Sequence, residues 1–391
     1  MIPYGRQDIS EEDIQAVIDV LKSDYLTQGP AIPAFEQAVA ANCGVKFGVA
    51  VNSATSALHI ACMALNLGKG DILWTSPITF VASANCALYC GATVDFVDID
   101  PLTYNMSVEA LEKKLQQAEV EGKLPKIVVP VHLAGQSCEM EKIHLLSKKY
   151  GFRIIEDASH GIGGKYKGSP IGNCLYSDIT VFSFHPVKII TTGEGGMCMT
   201  NDPEIALRLT HYRSHGITRQ PAEMTHVPDG PWYYQQIDLG FNYRITDIHA
   251  ALGLSQLKRL DEFVQKRHEI ARRYDTTLAS DTLTIHYQHP DTYSAYHLYI
   301  IRLKKKEGGI GRLQMFEKLR AAGILVNLHY IPVYHHPYYE KTGKYNRADF
   351  PNAEAYYAES ISIPMHTMLT NDEQQFVIDQ IEKPMGHQNL F

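Results

Sequence analysis

Hydrophobic residues along the first 250 positions recur with two alternating periods, which predicts strands and helices in turn. The short apolar runs that predict strands lie at 47–51, 93–99, 126–132, 152–157, 178–184 and 195–200. The segments with helical spacing between them lie at 56–68, 107–119 and 137–151. Because the strands are apolar on both faces and alternate with helices, they indicate a mostly parallel sheet with helices on both sides. The expected fold class is therefore α/β, and ligands should bind beyond the carboxyl ends of the strands.

Helix-start signals mark two further elements. Ser10 can cap a first helix, in which apolar residues recur at helical spacing. Thr246 can cap a long pattern that predicts one continuous helix over residues 247–279. The Pro- and Gly-rich stretch 216–242, which precedes it, is predicted to be a long loop with a functional role.

The long helix is expected to lead from a large domain, residues 1–250, into a small C-terminal α+β domain within residues 251–391. The predicted elements of the small domain are strands at 296–304 and 324–330 and helices near 311–322, 350–360 and 371–383. Strands and helices mix in this region without the regular alternation seen earlier, which is typical of an α+β unit. The N-terminal segment is a candidate to pack on the small domain.

The composition is that of an ordinary globular protein, and the net charge limits the classes of molecule that the protein is expected to bind. The 391 residues are 45% hydrophobic and 20% charged, with a formal net charge of −7. This acidic balance argues against nucleic acid or an anionic membrane as a partner, and no apolar run approaches the roughly 18 residues that span a bilayer. The seven cysteines form no CxxC pair, and the first residues do not resemble a signal peptide. We therefore expect reduced thiols in the cytoplasm.

Several familiar motifs are missing from the sequence. There is no GxxxxGKS/T, no complete GxGxxG and no GxSxG, which argues against a P-loop and against a nucleotide-dependent dehydrogenase. The stretch HEIAR places Arg272 where the zinc-protease pattern requires a second histidine. The pair His335–His336 is expected by chance among 18 histidines, so no metal site is predicted.

One lysine occupies an unusual place in the stretch FSFHPVKIITTGEGG. Lys188 follows an apolar strand and precedes a turn that is rich in Thr and Gly. It is either a solvated lysine in an ordinary turn or a partly desolvated amine, whose lowered pKa would let it form a Schiff base. Its own surroundings in the sequence leave both interpretations open.

A second charged residue lies at a strand end in IIEDASHGIGG. Asp157 taken alone is typical of a helix cap. Together with Lys188 it matches the needs of pyridoxal phosphate, which is bound by a lysine imine and needs a carboxylate to keep its ring nitrogen protonated. The combination favours a site for this cofactor.

Two further stretches could hold the rest of such a cofactor. VNSATSALHI passes from a strand to a helix through small and hydroxyl residues, so the helix N-terminus could bind a phosphate. Simple capping by Ser53 or Thr55 is the alternative. Phe80, in SPITFVASANCAL, could stack on the cofactor ring or be an ordinary core aromatic.

These stretches, with LGFNYRITDIHAALGLSQL and LVNLHYIPVY, resemble the DegT/DnrJ/EryC1/StrS family of nucleotide-sugar aminotransferases over nearly the whole chain. The resemblance implies a fold-type I pyridoxal phosphate-dependent aminotransferase that forms a homodimer with active sites at the subunit interface. A branch of the family that carries His in place of the lysine acts as a dehydratase. Because Lys188 is retained, and His185 lies three residues too early to replace it, the resemblance implies transamination.

The resemblance also assigns roles to individual residues. Lys188 and Asp157 would be catalytic, with Lys188 bound to the cofactor and Asp157 at its ring nitrogen. The implied cofactor-binding set is Ala54, Thr55, Phe80, Asp157, His160, Ser183, Lys188 and, from the other subunit, Asn242. In this set Ala54, Thr55 and Ser183 would hold the phosphate, and His160 would either hydrogen-bond the phenolic oxygen or stack. The candidates for substrate contact are Tyr4, Gln28, His185, Arg244, His329 and Tyr330, for each of which a purely structural role is the alternative.

Three stretches point to a narrower branch of the family: TFVASANCALYCGA, YYQQIDLGFNYRITDI and HYIPVYHHPYY. They resemble members that transfer the amino group of L-glutamate to C4 of a UDP-4-keto-6-deoxy-N-acetylhexosamine, on the route to pseudaminic acid. A UDP-4-keto-pentose or a dTDP-4-keto-6-deoxyhexose is the alternative acceptor. A non-catalytic sensor that binds the same cofactor is the alternative class, although no DNA-binding module is appended.

Overall fold

The computed structural model describes residues 1–304 and 310–383, and its largest element is a seven-stranded sheet. The strands, numbered in chain order, are β1 (Ile2–Pro3), β2 (Phe47–Val51), β3 (Ile72–Thr75), β4 (Thr93–Phe96), β5 (Ile127–Val129), β6 (Arg153–Asp157), β7 (Lys165–Tyr166), β8 (Ser169–Pro170), β9 (Ile179–Ser183), β10 (Gly196–Thr200), β11 (Ile217–Thr218), β12 (Gln235–Gln236), β13 (Leu283–Ile285), β14 (Thr292–Tyr293), β15 (Tyr299–Leu303), β16 (Ile324–Leu325) and β17 (Ser360–Ile363). The α-helices are α1 (Glu11–Leu21), α2 (Ala31–Cys43), α3 (Ala54–Ala64), α4 (Ala82–Tyr89), α5 (Val108–Glu121), α6 (Met140–Tyr150), α7 (Pro203–Arg213), α8 (Asp247–Leu257), α9 (Leu260–Leu278), α10 (Arg312–Ala321), α11 (Pro337–Glu340), α12 (Pro351–Glu359) and α13 (Asn371–Glu382).

The seven-stranded sheet has the order β2-β10-β9-β6-β5-β3-β4. The five strands from β9 to β4 are mutually parallel, while β10 runs antiparallel to both of its neighbours, β9 and β2. Every residue of β9 and β10 is buried, as expected for strands that are covered on both faces. The predicted α/β class with a mostly parallel sheet is therefore confirmed.

This topology brings three strand ends to one edge of the sheet. Because β10 is antiparallel to both β9 and β2, those two strands point the same way, and β6 is parallel to β9. The carboxyl ends Val51, Asp157 and Ser183 therefore lie at a common edge. This is the edge at which a ligand is expected in a parallel sheet.

The predicted single helix over 247–279 is wrong, because the structure contains two helices there. Helix α8 ends at Leu257 and α9 begins at Leu260. Between them Arg259 leaves helical geometry (φ −103°, ψ 8°). Its guanidinium donates to the carboxylates of Asp8 (3.1 Å) and Asp13 (2.6 Å), so the helix breaks where a side chain is held by the N-terminal segment.

The predicted strand over 324–330 is much shorter than expected. Only Ile324 and Leu325 form a strand, because they pair in parallel with β1, the short N-terminal strand. Farther along, Tyr4 accepts a hydrogen bond from the backbone N–H of Met365. The N-terminal segment thus packs on elements that follow residue 250, while the division of the chain into domains at that residue stays a prediction.

A second, smaller sheet lies in the C-terminal part of the chain. It consists of β13, β15 and β17, all antiparallel, and it is packed against α9, α10 and α13 through a shared apolar cluster. The last residues of the predicted small domain, 384–391, and the segment 305–309 lie outside the described residues. All seven cysteines are free thiols. Across residues 1–304 and 310–383, no helix is both long and apolar enough to cross a bilayer.

Candidate active site

A cavity of about 770 Å³ opens at the edge of the sheet where the strand ends meet. The predicted site residues that line it are Tyr4, Ala54, Thr55, Phe80, Asp157, His160, Ser183, His185, Lys188, His329 and Tyr330. These residues are far apart in the sequence, and the sheet topology brings them together. The cavity is therefore the candidate active site.

Three predicted site residues do not line this cavity. Gln28 and Asn242 are exposed to solvent, and Arg244 is half-buried. The segment around Arg244 runs beside the end of β2, where it forms a bridge with Val51. Since the resemblance assigned Asn242 to a second subunit, its absence from the cavity of a single chain leaves that assignment a prediction.

Lys188 lies in the turn after β9, is half-buried, and lines the cavity. Its backbone N–H donates to the carbonyl of His185 (2.9 Å), which holds the turn. Burial lowers the pKa of Lys188 to about 8 from its usual 10.5, against the opposing attraction of the Asp157 carboxylate. The position of Lys188 in the cavity therefore favours its interpretation as a partly desolvated amine.

Asp157 is oriented by two hydrogen-bond donors at the end of β6. Ser83 Oγ donates to its Oδ2 (2.6 Å), and the backbone N–H of Ser159 donates to its Oδ1 (3.1 Å). Ser83 also bonds to the hydroxyl of Thr79 (2.7 Å), so the carboxylate is the end of a short hydrogen-bond chain. Asp157 is 5% exposed, and both oxygens have donors that suit the ionised form. Sequence reasoning missed Thr79, directly before Phe80, and Ser83, in the run of small residues after Phe80.

The N-terminus of α3 forms one end of the cavity. Ser53 is the cap, since its Oγ accepts a hydrogen bond from Ser56 N–H (3.1 Å). The capping prediction therefore holds, but it does not exclude an anion site, because the amides of Ala54 and Thr55 in the first turn have no intrahelical acceptor. These amides and the Thr55 hydroxyl remain available to a phosphate.

Gly196 lets this helix end approach the sheet. A Cβ atom at Gly196 would lie only 2.6 Å from the backbone nitrogen of Ala54, which no side chain could tolerate. Gly196 pairs with Ser183 in the sheet, so the same close approach brings the Ser183 hydroxyl beside the first turn of α3. The result is a cradle with backbone and hydroxyl donors, as a phosphate group requires.

Phe80 forms part of the cavity wall and is not a core aromatic. Its side chain is 59% exposed, although Ala82, Ser83 and Ala84, which follow it closely in α4, are buried. Its ring lies 6.2 Å from the ring of Tyr330, measured between centroids. An exposed aromatic face of this kind is available to stack on a planar ligand.

The opposite wall comes from the segment after β16. His329 is buried, and its Nδ1 lies 2.9 Å from Ser362 Oγ. Burial and the nearby Lys188 lower the pKa of His329 to about 3, so it is neutral at physiological pH. The two interpretations of His329 are compatible, because a partnered buried histidine also lines the cavity beside Tyr4 (ring centroids 5.2 Å apart).

The remaining wall contains His160, His185 and a histidine that sequence reasoning missed. His185 is exposed at the cavity rim. His297 lines the cavity, is 4% exposed, and has a buried Nδ1 without a hydrogen-bond partner among the described residues. Its ring lies 4.3 Å from that of His160. It was missed because it lies in an apolar strand-like run, where a histidine usually belongs to the core.

Taken together, these groups fit pyridoxal phosphate. The cavity offers an amine of lowered pKa, a buried carboxylate, a cradle for a phosphate and an exposed aromatic face. The described residues contain no group of three or more His, Cys, Asp or Glu side chains that could hold a metal ion.

Comparison with known proteins identifies the family of this chain. The sequence model of the DegT/DnrJ/EryC1/StrS aminotransferase family matches residues 7–382. The spore coat polysaccharide biosynthesis protein SpsC of Bacillus subtilis is 39% identical over 382 residues, which are 97% of this chain and 96% of SpsC. The UDP-4-amino-4,6-dideoxy-N-acetyl-β-L-altrosamine transaminase of Campylobacter jejuni is 38% identical over the same shares of the two chains.

Solved structures give the same result. Helicobacter pylori PseC, an aminotransferase involved in the biosynthesis of pseudoaminic acid, superposes with a TM-score of 0.89 at 33% identity, covering 97% of this chain and 98% of PseC. The PLP form of the sugar aminotransferase Spr1654 of Streptococcus pneumoniae superposes with a TM-score of 0.86 at 29% identity, covering 97% of each chain. The fold-type I aminotransferase architecture is thus confirmed, and the chain belongs to the DegT/DnrJ/EryC1/StrS aminotransferase family.

Proposed function

We propose that this chain is a pyridoxal phosphate-dependent transaminase that moves an amino group from L-glutamate to C4 of a UDP-4-keto-6-deoxy-N-acetylhexosamine. The product would be UDP-4-amino-4,6-dideoxy-N-acetyl-β-L-altrosamine, on the route to pseudaminic acid. The name of the Campylobacter relative supports this amino sugar, and that of the Helicobacter relative supports this route. The observation that carries the reaction type is the amine of Lys188, in one cavity with the Asp157 carboxylate.

Each part of the cofactor would have its own partner in the cavity. Asp157 would meet the ring nitrogen, and Phe80 would lie against the ring. The first turn of α3, with Thr55 and Ser183, would hold the phosphate. When bound, the cofactor supplies an electron-withdrawing ring that stabilises negative charge on a carbon that loses its proton.

Lys188 would act as nucleophile and as general base at different moments. Its Nζ would hold the cofactor, and the freed amine would move a proton from the α-carbon of L-glutamate to the cofactor. In the second half-reaction the same Nζ would take a proton back from the cofactor and deliver it to C4 of the sugar. A pKa of about 8 suits both tasks, because neither protonation state is rare near neutral pH. Asp157, held by Ser83 and Ser159, keeps the ring nitrogen protonated throughout.

The substrate groups would meet the aromatic and histidine walls. Tyr4, His185, His329 and Tyr330 line the cavity and are proposed to contact the sugar. In a homodimer the partner copy would bring Asn242 to the phosphate, and Arg244 and Gln28 remain candidates for contact with the nucleotide sugar. The seven free thiols support a cytoplasmic location for the enzyme.

One specific observation favours a different sugar as the acceptor of the amino group. SpsC is named for spore coat polysaccharide and is as similar to this chain as the Campylobacter enzyme is, which supports another nucleotide 4-keto sugar as substrate. The candidates are a UDP-4-keto-pentose and a dTDP-4-keto-6-deoxyhexose. The non-catalytic sensor is not favoured, because the matching family and the named relatives are aminotransferases.

The substrate proposal is tested by offering the holoenzyme a panel of UDP- and dTDP-4-keto sugars with L-glutamate. We expect the UDP-4-keto-6-deoxy-N-acetylhexosamine to give the highest kcat/KM, and its product to carry nitrogen at C4 by mass spectrometry and NMR. A higher kcat/KM for a pentose or a dTDP sugar would overturn the proposed substrate but leave the proposed reaction type in place. Absence of any conversion of the cofactor by L-glutamate would reject a glutamate-dependent transaminase.

The lowered pKa of Lys188 predicts how cofactor attachment depends on pH. Only the neutral amine attacks an aldehyde, so the attachment rate to cofactor-free protein should rise roughly tenfold per pH unit below about pH 8 and level off above it. Stopped-flow absorbance between pH 6.5 and 9.5 measures this rate. Because the Asp157 carboxylate opposes the shift, Asp157→Asn should move the midpoint to lower pH. A rate that still climbs tenfold per unit above pH 9 would contradict the assignment.

A further inference from the structure

The cavity contains a short hydrogen-bond chain that the proposed mechanism does not use. It begins at the backbone N–H of Ala134, which donates to Nδ1 of His160 at 3.2 Å. The other ring nitrogen of His160, Nε2, lies 3.1 Å from the hydroxyl oxygen of Tyr330. His160 and Tyr330 both line the cavity, while Ala134 is fully buried behind them.

The first hydrogen bond fixes the tautomer of His160. A backbone N–H can only donate, so Nδ1 must be the ring nitrogen that carries no proton. The cationic form would place a proton there, facing the amide, and burial together with Lys188 also lowers the pKa of His160 well below its usual range. The ring is therefore neutral with its proton on Nε2, and that N–H donates to the Tyr330 oxygen.

The second hydrogen bond then directs the hydroxyl group of Tyr330. A hydroxyl has one hydrogen, and since its oxygen faces the N–H of His160, the hydrogen must point elsewhere. Among the described residues, His160 is the only hydrogen-bond partner recorded for this hydroxyl. The ring itself is held between His160 (centroids 6.1 Å apart) and Phe80 (6.2 Å). The hydrogen is thus free for a ligand oxygen in the cavity that Tyr330 lines.

We propose, on the basis of the function proposed above, that Tyr330 donates a hydrogen bond to an oxygen of the acceptor sugar and that His160 is the positioning residue that aims this hydrogen. The ring nitrogen, phosphate and aldehyde of the cofactor have other partners in Asp157, the start of α3 and Lys188. Tyr330 belongs instead to the wall after β16, beside the aromatic rings of Tyr4 and His329. A neutral donor on such a wall suits a carbohydrate oxygen.

The phenolic oxygen of the cofactor could also accept the hydrogen bond from Tyr330. The Tyr330→Phe substitution distinguishes this acceptor from an oxygen of the sugar. If the sugar is the acceptor, the sugar half-reaction should slow by roughly 10- to 100-fold, because two polar groups lose their partner in a dry site. The glutamate half-reaction and the absorbance spectrum of the holoenzyme should stay unchanged. Equal slowing of both half-reactions with a shifted spectrum would overturn the proposal in favour of the cofactor, and no slowing would overturn it altogether.

Tyr334→Phe is the matched control for this substitution. Tyr334 lies outside the cavity, and its hydroxyl donates to Glu354 (2.7 Å). The same chemical change there should leave both half-reactions within about twofold of the original enzyme.

The positioning role of His160 is tested by two substitutions with opposite expectations. Glutamine carries both an acceptor for Ala134 N–H and a donor for Tyr330, so His160→Gln should retain most of the sugar half-reaction. Leucine carries neither, so His160→Leu should slow that half-reaction as much as Tyr330→Phe does. Combining His160→Leu with Tyr330→Phe should then add little, because the two residues act as one unit. Additive losses would overturn the positioning role.

The tautomer itself can be measured without any turnover. Long-range ¹H–¹⁵N correlation spectra of protein labelled at histidine should show His160 as a neutral ring protonated at Nε2 from pH 6 to 8. A ring protonated at Nδ1, or a cationic ring in this range, would overturn the inference. This measurement needs no sugar. A negative result from the sugar panel would therefore leave the tautomer of His160 unaffected.

Discussion

Replacement of Lys188 by alanine should abolish transamination, with a fall in kcat of roughly 10⁴-fold or more. The large effect is expected because one amine serves as the anchor of the cofactor and as the base in both half-reactions. Its pKa of about 8 arises from burial in the cavity, and no other lysine lines that cavity to replace it among the described residues. Steady-state assays with L-glutamate and the preferred sugar measure the loss.

The test of the Lys188 assignment does not depend on activity alone. Borohydride reduction of the holoenzyme, followed by peptide mapping, should place the reduced adduct on Lys188, and the alanine variant should carry none. Lys69→Ala, at an exposed lysine in the turn before β3, provides the matched control and should behave as the original enzyme. An adduct on a different lysine, or normal turnover by Lys188→Ala, would refute the central assignment.

Asp157→Asn should have the second largest effect, a fall in kcat of roughly 10²- to 10³-fold. The substitution keeps the size of the side chain and removes the charge that holds a proton on the ring nitrogen. The amide would also face Ser83 Oγ and Ser159 N–H, two donors that now serve both carboxylate oxygens. One of them must turn away or stay unpaired, so some loss of order at this site is expected as well.

Two comparisons separate the charge of Asp157 from its structural role. Ser83→Ala removes one orienting hydrogen bond but keeps the charge, so it should cost only a few-fold in kcat, about the value of one hydrogen bond. Asp19→Asn, at an exposed carboxylate in α1, should change nothing. If Ser83→Ala were as damaging as Asp157→Asn while both proteins stayed folded, orientation and not charge would be the main contribution of Asp157.

The main elements of the site could be predicted because they depend on local signals. Strand ends are marked by apolar runs, so the positions of Asp157 and Lys188 at one edge follow from the rule for parallel sheets. The cap at Ser53 and the start of α3 follow from side-chain chemistry within four residues. These features need no knowledge of distant partners.

The features that were missed depend on contacts between distant parts of the chain. The break between α8 and α9 carries no Pro or Gly, and it reflects the pairing of Arg259 with Asp8 and Asp13 at the other end of the sequence. The bond from Ser83 to Asp157 joins residues 74 positions apart. Likewise, the direction of the Tyr330 hydroxyl depends on an amide at Ala134. No window of sequence contains both partners of such pairs.

The pairing of β1 with β16 has a consequence for synthesis of the protein. Because Ile2 pairs with Ile324, the segment that contains Ile2 gains this partner only after more than 300 further residues have been synthesised. Tyr4 follows β1 in the chain, so the part of the cavity wall that Tyr4 forms is also completed only after β16 has been synthesised. A polypeptide released early, before residue 324, would lack both this pairing and the wall that contains Tyr330. We therefore expect translation products that end before residue 324 to be inert.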